Sequence, residues 1–267
     1  MNVVDVIKGN GPIVLGQPHG GTYVPDDLMA RLNGTGRALA DTDGHIAKLY
    51  EGLLPSATVV ASHVHRYVID ANRDPEGVTL YPGQNTTHLC PVTDFNGASI
   101  WKDGQAPSAD EIAGRTAMFH RPYHAALAAE LDRVKAKYGC VILYDCHSIR
   151  SDIPFLFDGT LPIFNIGTNG GTTCAPIIED TTHTTCTATA PTFDTVVNGR
   201  FKGGWTTRHY GHPAEGQHAI QMELAQRAYM TECAPWSYRA DLSDRVRPTL
   251  SSILTDLDTL ARSGALT

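Results

Sequence analysis

The chain has 267 residues, 42% hydrophobic and 18% charged, which is enough apolar material for a large core and excludes a disordered polar chain. A formal net charge of −7 excludes general nucleic-acid binding, because neutralising a phosphate backbone needs a basic surface. It leaves room for a small anion gripped by a local group of arginines.

Met1 to Gly11 lacks a basic region followed by an apolar run. No stretch approaches the roughly 20 apolar residues of a membrane helix. Six cysteines (Cys90, Cys140, Cys146, Cys174, Cys186 and Cys233) form no CxxC pair and read as reduced thiols. A soluble cytoplasmic protein is expected. Repeats and linkers are absent from the pattern, so a single domain over residues 1–267 is the simplest organisation.

Pro12–Gly16 reads as a short strand that ends in Gln17-Pro18-His19-Gly20-Gly21-Thr22. Asp41-Thr42-Asp43-Gly44-His45 precedes a helical pattern of Ile46, Leu49, Tyr50 and Leu53, where either aspartate could cap. Thr58–Ser62 and Arg66–Asp70 read as two further strands. Thr79–Pro107 is rich in Gly, Pro, Asn and Thr and reads as a lid or a subdomain wall. Ser108 and Glu111 make a capping box, and a long helix is expected to follow to Lys137, with a break at Pro122. Cys140–Leu143 is an apolar strand running directly into Tyr144-Asp145-Cys146-His147-Ser148-Ile149-Arg150. Pro162–Gly167 is expected as a strand and Cys174–Thr189 as a polar helix. Gln217–Leu224 is a strand with Ile220, Met222 and Leu224 on one face and Ala219, Gln221 and Glu223 on the other. Asp241–Arg262 closes the chain as an amphipathic helix, with Pro248 as a kink or as its true first turn.

A strand that stops in ionisable residues is how open α/β sheets present chemistry. His19 and His147 both sit at such strand ends. With one of Asp41 or Asp43 they form the three-ligand set of a catalytic zinc site that keeps one position open. Glu223, near another strand end, is placed to take a proton from metal-bound water. Cys146 invites a nucleophile reading, but adjacent strand residues point to opposite faces, so it cannot pair with His147. Asp145 is a candidate partner for that histidine. Arg66, Arg73, Arg150, Arg200, Lys202 and Arg208 lie near strand ends and, if they converge, point to a small di-anion.

The segments Pro18-His19-Gly20-Gly21, Asp41-Thr42-Asp43-Gly44-His45 and Arg66–Arg73 resemble those of N-formylglutamate amidohydrolases. So do Asp145–Ser151, Asn198–Gly204, Arg208-His209-Tyr210-Gly211 and Gln221–Gln226, so the resemblance runs nearly end to end. It implies a three-layer α/β/α sandwich with a mixed sheet, similar to zinc carboxypeptidases and aspartoacylases. It also implies zinc-dependent hydrolysis of N-formyl-L-glutamate, the last step of a histidine degradation route. By motif, His19 and His147 match the metal ligands, Asn72 and Arg73 the pair that grips a substrate carboxylate, and Glu223 the base. The relatives place their acidic ligand three residues after the first histidine, where this chain has Thr22, which leaves Asp43, or Asp41, to supply it. Arg66 is expected at the oxyanion. Arg150, Arg200 and Arg208 are the candidates for the rest of a small dicarboxylate. Ala71 stands where the family has Leu and is expected to face packing. Gly44 replaces an aromatic and is expected to enlarge the pocket. A deacylase of another N-acyl acidic amino acid and a catalytically dead amino-acid sensor are the competing readings.

Overall fold

The computed structural model describes residues 2–79 and 82–266. Its strands are β1 (Val4–Ile7), β2 (Ile13–Gln17), β3 (Thr58–Ser62), β4 (Val141–Ile149), β5 (Phe164–Gly167), β6 (Thr195–Val197) and β7 (Gln217–Ala225). Its helices are α1 (Asp26–Arg31), α2 (Gly34–Arg37), α3 (Ile46–Tyr50), α4 (Ala109–Arg115), α5 (Arg121–Tyr138), α6 (Pro176–Thr189), α7 (Trp205–Tyr210) and α8 (Ala240–Arg262). The strands form one mixed sheet in the order β1-β3-β2-β4-β7-β5-β6. β3, β2, β4 and β7 run parallel, so their carboxyl ends share one edge. β1 pairs antiparallel outside β3, and β5 pairs antiparallel with β7.

Alternation along the central strands separates two cores. On one face Val14, Val141, Leu143 and Ala219 pack against Tyr123, Leu127, Leu131 and Val134 of α5. On the other, Leu15, Ile142, Tyr144, Ile220, Met222 and Leu224 pack against Ile178 of α6 and Val246, Leu250, Ile253 and Leu257 of α8. This is the expected three-layer α/β/α sandwich. Every residue of β4 is buried, as a central parallel strand requires. Among the described residues, no helix is long and apolar enough to cross a membrane. All six cysteines are free.

Several expected elements differ. Residues 66–68 form a turn and residues 69 and 70 are irregular, so the expected strand is absent. The edge it would have needed beside β3 is taken by β1, and residues 66–70 are held instead by buried Arg66, Tyr67 and Asp70. The long helix begins at the expected capping box, Ser108 and Glu111, but divides into α4, a π turn over Thr116–His120, and α5. The break expected at Pro122 is this π turn, which ends two residues before the proline, and the helical run continues through α5. Pro248 lies inside α8, not in its first turn. Part of the 79–107 excursion forms a wall: Trp101, Leu89 and Ile100 pack on Leu28 and Leu32. Asn85, Thr86 and Thr87 reach the pocket described next, while Leu80 and Tyr81 lie outside the described residues.

Candidate active site

The carboxyl ends of β2, β4 and β7 converge on a pocket lined by His19, Arg66, Asn72, Arg73, His147, Arg200 and Glu223, among others. His19 stands two residues past the end of β2. The chain then crosses His63 closely at Gly21, where a Cβ would stand 2.2 Å from the His63 carbonyl carbon, so no larger residue fits that crossing. On β4, Asp145 and His147 continue the face that begins with Val141 and Leu143. On β7, Gln221 and Glu223 sit opposite them in register, with Asp145 paired to Gln221 and His147 to Glu223.

His19, Asp43 and His147 are brought together, each about 2% exposed or less. The two Nδ1 atoms are 3.2 Å apart, and Asp43 Oδ2 lies 3.8 Å from His19 Nδ1 and 3.3 Å from His147 Nδ1. Ligands about 2.0–2.1 Å from a tetrahedral ion stand about 3.3 Å from one another, so the triangle fits such an ion. The outer nitrogens agree. His19 Nε2 is 2.6 Å from Asp70 Oδ1, and His147 Nε2 is 3.1 Å from Asp145 Oδ1. A carboxylate on each Nε2 assigns the proton there and turns both Nδ1 lone pairs inward. Two lone pairs at 3.2 Å repel unless a cation or a proton lies between them.

Asp43, not Asp41, is the carboxylate in this cluster. It caps no helix. Oδ2 accepts from the Ser148 amide at 3.0 Å, and Oδ1 accepts from the Arg66 guanidinium. Asp41 accepts from Tyr67 Oη and the Phe95 amide, and burial raises its carboxyl above the usual range. Asn72 reaches the site at two points. Its Nδ2 lies 3.2 Å from His147 Nε2, and its Oδ1 accepts from the Thr206 amide at 2.8 Å. Gly204 lets that side chain pass, since a Cβ there would sit 2.1 Å from Asn72 Nδ2. Arg73 lines the pocket and donates to the Thr87 carbonyl and hydroxyl at 3.0 Å each.

Charge in the site is finely divided. Burial opposes the charge of His147, but Asp145, Asp43 and Glu223 hold its proton well above the ordinary histidine value. Burial and Arg66 push His19 down. Burial opposes the Asp43 anion as well, yet Arg66 and the two histidines keep its carboxyl below its usual value. Burial pushes Glu223 up to about 8, against the pull of His147 and Arg66.

The arginines separate. Arg66, Arg73 and Arg200 line the pocket. Arg66 is buried between Asp43 and Asp70 with its guanidinium 5.0 Å over the Phe95 ring, and its Nε has no hydrogen-bond partner among the described residues. Arg200 donates to the Leu156 and Asn85 carbonyls at 2.9 and 3.1 Å. Arg150 and Arg208 are not in the wall. Arg150 pairs with Asp41 at 3.3 Å, and Arg208 Nε donates to the Gly203 carbonyl at 2.9 Å. Gly44 does not enlarge the pocket: a Cβ there would meet Met230 Cε at 2.9 Å. Ala71 packs with Val14 and Val60, as expected. Cys146 is buried in the opposite core, and burial raises its thiol well above the usual range. Sequence reasoning missed Asp70, the partner of His19. Its signal was its place at the end of a polar-terminated apolar run, obscured because that run was read as a strand.

A mixed α/β sandwich whose parallel strands bring His19, His147 and Glu223 to one pocket, with Asp43 beside the two histidines and arginines supplied by loops and turns, defines a hydrolase-type site able to hold a divalent metal. The chain belongs to the N-formylglutamate amidohydrolase family, whose model matches residues 11–230. It is 44% identical over 256 residues to N-formylglutamate deformylase of Pseudomonas aeruginosa, covering 96% of both chains. It is 43% identical to the enzyme of that name from Pseudomonas putida, covering 96% of this chain and 95% of the relative. The solved N-formylglutamate amidohydrolase of Ralstonia eutropha JMP134 shares the fold, with a TM-score of 0.79 at 22% identity over 99% of this chain and all of that one.

Proposed function

We propose that this protein hydrolyses N-formyl-L-glutamate to formate and L-glutamate with a divalent metal, zinc by choice of ligands, held by His19, Asp43 and His147. The observation that carries this reading is the convergence of these three donors, with both histidines in a pocket wall that also holds Glu223, Arg66, Arg73 and Arg200. The same set speaks against a dead sensor, which has no use for a base.

When bound, the metal polarises the formyl carbonyl and makes water acidic enough to attack near neutral pH. Glu223 takes the proton of the attacking water and delivers it to the amide nitrogen as the C–N bond breaks, so the formyl carbon leaves as formate and the nitrogen as the amine of glutamate. Burial raises this carboxyl above an ordinary glutamate, so it holds the proton more firmly between the two halves of that transfer. Arg66 faces the charge that develops on the carbonyl oxygen. Asn72 and Arg73 hold one carboxylate of the substrate, and Arg200 holds the other. Arg150 and Arg208 take no part in this assignment. The chain acts as a single domain on a small dicarboxylate, in the cytoplasm, as the final step of histidine degradation.

Formate release from N-formyl-L-glutamate tests the reading, measured before and after chelation with metal content read on the same sample. Activity lost on chelation and restored by Zn²⁺ is expected. Turnover that survives verified metal removal overturns the metal role. Bound zinc with activity on N-acetyl or N-succinyl analogues alone overturns the formyl substrate.

A further inference from the structure

The turn Asp70–Arg73 serves the site three times. Asp70 bonds His19, Asn72 stands beside His147, and Arg73 lines the pocket. The turn belongs to no strand or helix, so its position depends on what holds its backbone. Beside the backbone bond from the Asp70 amide to the Leu89 carbonyl and the Cys90 Sγ contact on the Val68 carbonyl, three side chains of the α4–α5 run do so. Arg115 Nη1 donates to the Val68 carbonyl at 3.2 Å, His124 Nε2 to the Ala71 carbonyl at 2.8 Å, and His120 Nε2 to the Arg73 carbonyl at 3.0 Å.

These donors come from one helical run and would not share a face in an ordinary α-helix. His120 and His124 are four residues apart and do. Arg115 and His120 are five apart, which at 3.6 residues per turn separates them by about 140°. The π turn over Thr116–His120 takes up the extra residue, with the Arg121 amide reaching the Thr116 carbonyl. Both histidine rings are buried. Their centroids are 4.4 Å apart, and Trp205 packs on them at 5.5 and 4.8 Å. A core histidine needs some acceptor. Here three donors take carbonyls within one six-residue stretch, the one that supplies Asp70, Asn72 and Arg73.

We propose that Arg115, His120 and His124 form a clamp of positioning residues, aligned by the π turn, that sets Asn72 and Arg73 against the substrate and Asp70 against His19. The effect on substrate rests on the function proposed above; the effect on His19 does not.

His120→Leu and His124→Leu remove the donors, whereas His120→Gln and His124→Gln keep an amide nitrogen at similar reach. Each Leu variant is expected to lower kcat/KM for N-formyl-L-glutamate by about 10- to 100-fold, chiefly through KM. Each is also expected to weaken Zn²⁺ affinity, read by chelator competition, by about tenfold or more. The Gln variants should recover most of both. If a Leu variant does not fold, the shorter Asn variants take its place, since their nitrogen cannot reach the carbonyls. Folded Leu or Asn variants with wild-type KM and Zn²⁺ affinity overturn the clamp, whatever their melting temperature. If the wild-type protein does not release formate, the proposed function fails. Zn²⁺ affinity then decides the clamp alone, and equal affinity across the variants rejects it.

Discussion

Glu223 stands across the β4–β7 pair from His147, buried and held near 8 by its surroundings. Glu223→Gln keeps the shape and a hydrogen-bonding amide but cannot accept the proton. It is expected to bind zinc normally and lose about 10²- to 10⁴-fold in kcat, with metal content and turnover measured on one preparation. Unchanged turnover would remove Glu223 from the base role. Arg73 is aligned by Thr87 and lines the pocket, so Arg73→Ala should raise KM about tenfold or more for N-formyl-L-glutamate, with a smaller change in kcat. An unaltered KM would sink its carboxylate role. His19, His147 and Glu223 were legible because each breaks the apolar pattern at the end of a strand. Asp43 was half legible: the sequence offered two aspartates, and only the fold shows that Asp41 is occupied by Tyr67 and Phe95. Residue type gave no such help with the arginines. Arg150 carries the same charge as Arg200 but faces Asp41, and nothing in sequence spacing marks that pairing.

At the scale of elements, what could be read was whatever buried a continuous or periodic apolar pattern. β4 and β7 stand out because both their faces are covered, and α8 because its apolar residues recur along one side. Leu254 on that helix is fully buried against the sheet. Leu254→Ala should lower the unfolding free energy by about 2–5 kcal/mol in urea titration with little change in KM, because the helix lies on the sheet face away from His147 and Glu223. A loss well under 1 kcal/mol would mean that this layer packs loosely. β1 escaped the sequence reading because Val4–Ile7 is a four-residue edge strand, exposed along most of its length and interrupted by Asp5. The π turn escaped for a related reason. Its residues continue a helical pattern, and the extra residue shows itself only through the carbonyls that Arg115, His120 and His124 reach.

For the whole molecule, buried neutral histidines contribute to how the fold responds to acid. Burial, followed by the Arg66 charge, pushes His65 down to about 3; burial, followed by His120, does the same to His124. The bonds agree with neutral rings. The Tyr67 amide donates to His65 Nδ1 at 3.1 Å, a bond that a proton on that nitrogen would abolish, and His124 Nε2 gives its hydrogen to the Ala71 carbonyl. In the unfolded chain both titrate near 6.5. Between about 6.5 and 3 the unfolded state therefore binds protons that the folded state refuses. The stability from keeping these rings neutral is fully present above about 6.5 and is lost as the pH falls through that window. Each histidine should give up about 2 kcal/mol on going from pH 7 to pH 5, at 1.36 kcal/mol for each unit below 6.5. His124→Gln removes one of them while leaving the metal donors and their own pH dependence in place. Urea unfolding at the two pH values should then show the variant losing about 2 kcal/mol less than the wild type. Equal losses would mean that His124 is protonated in the folded protein, and that its Nδ1 faces Tyr210 as a donor rather than an acceptor.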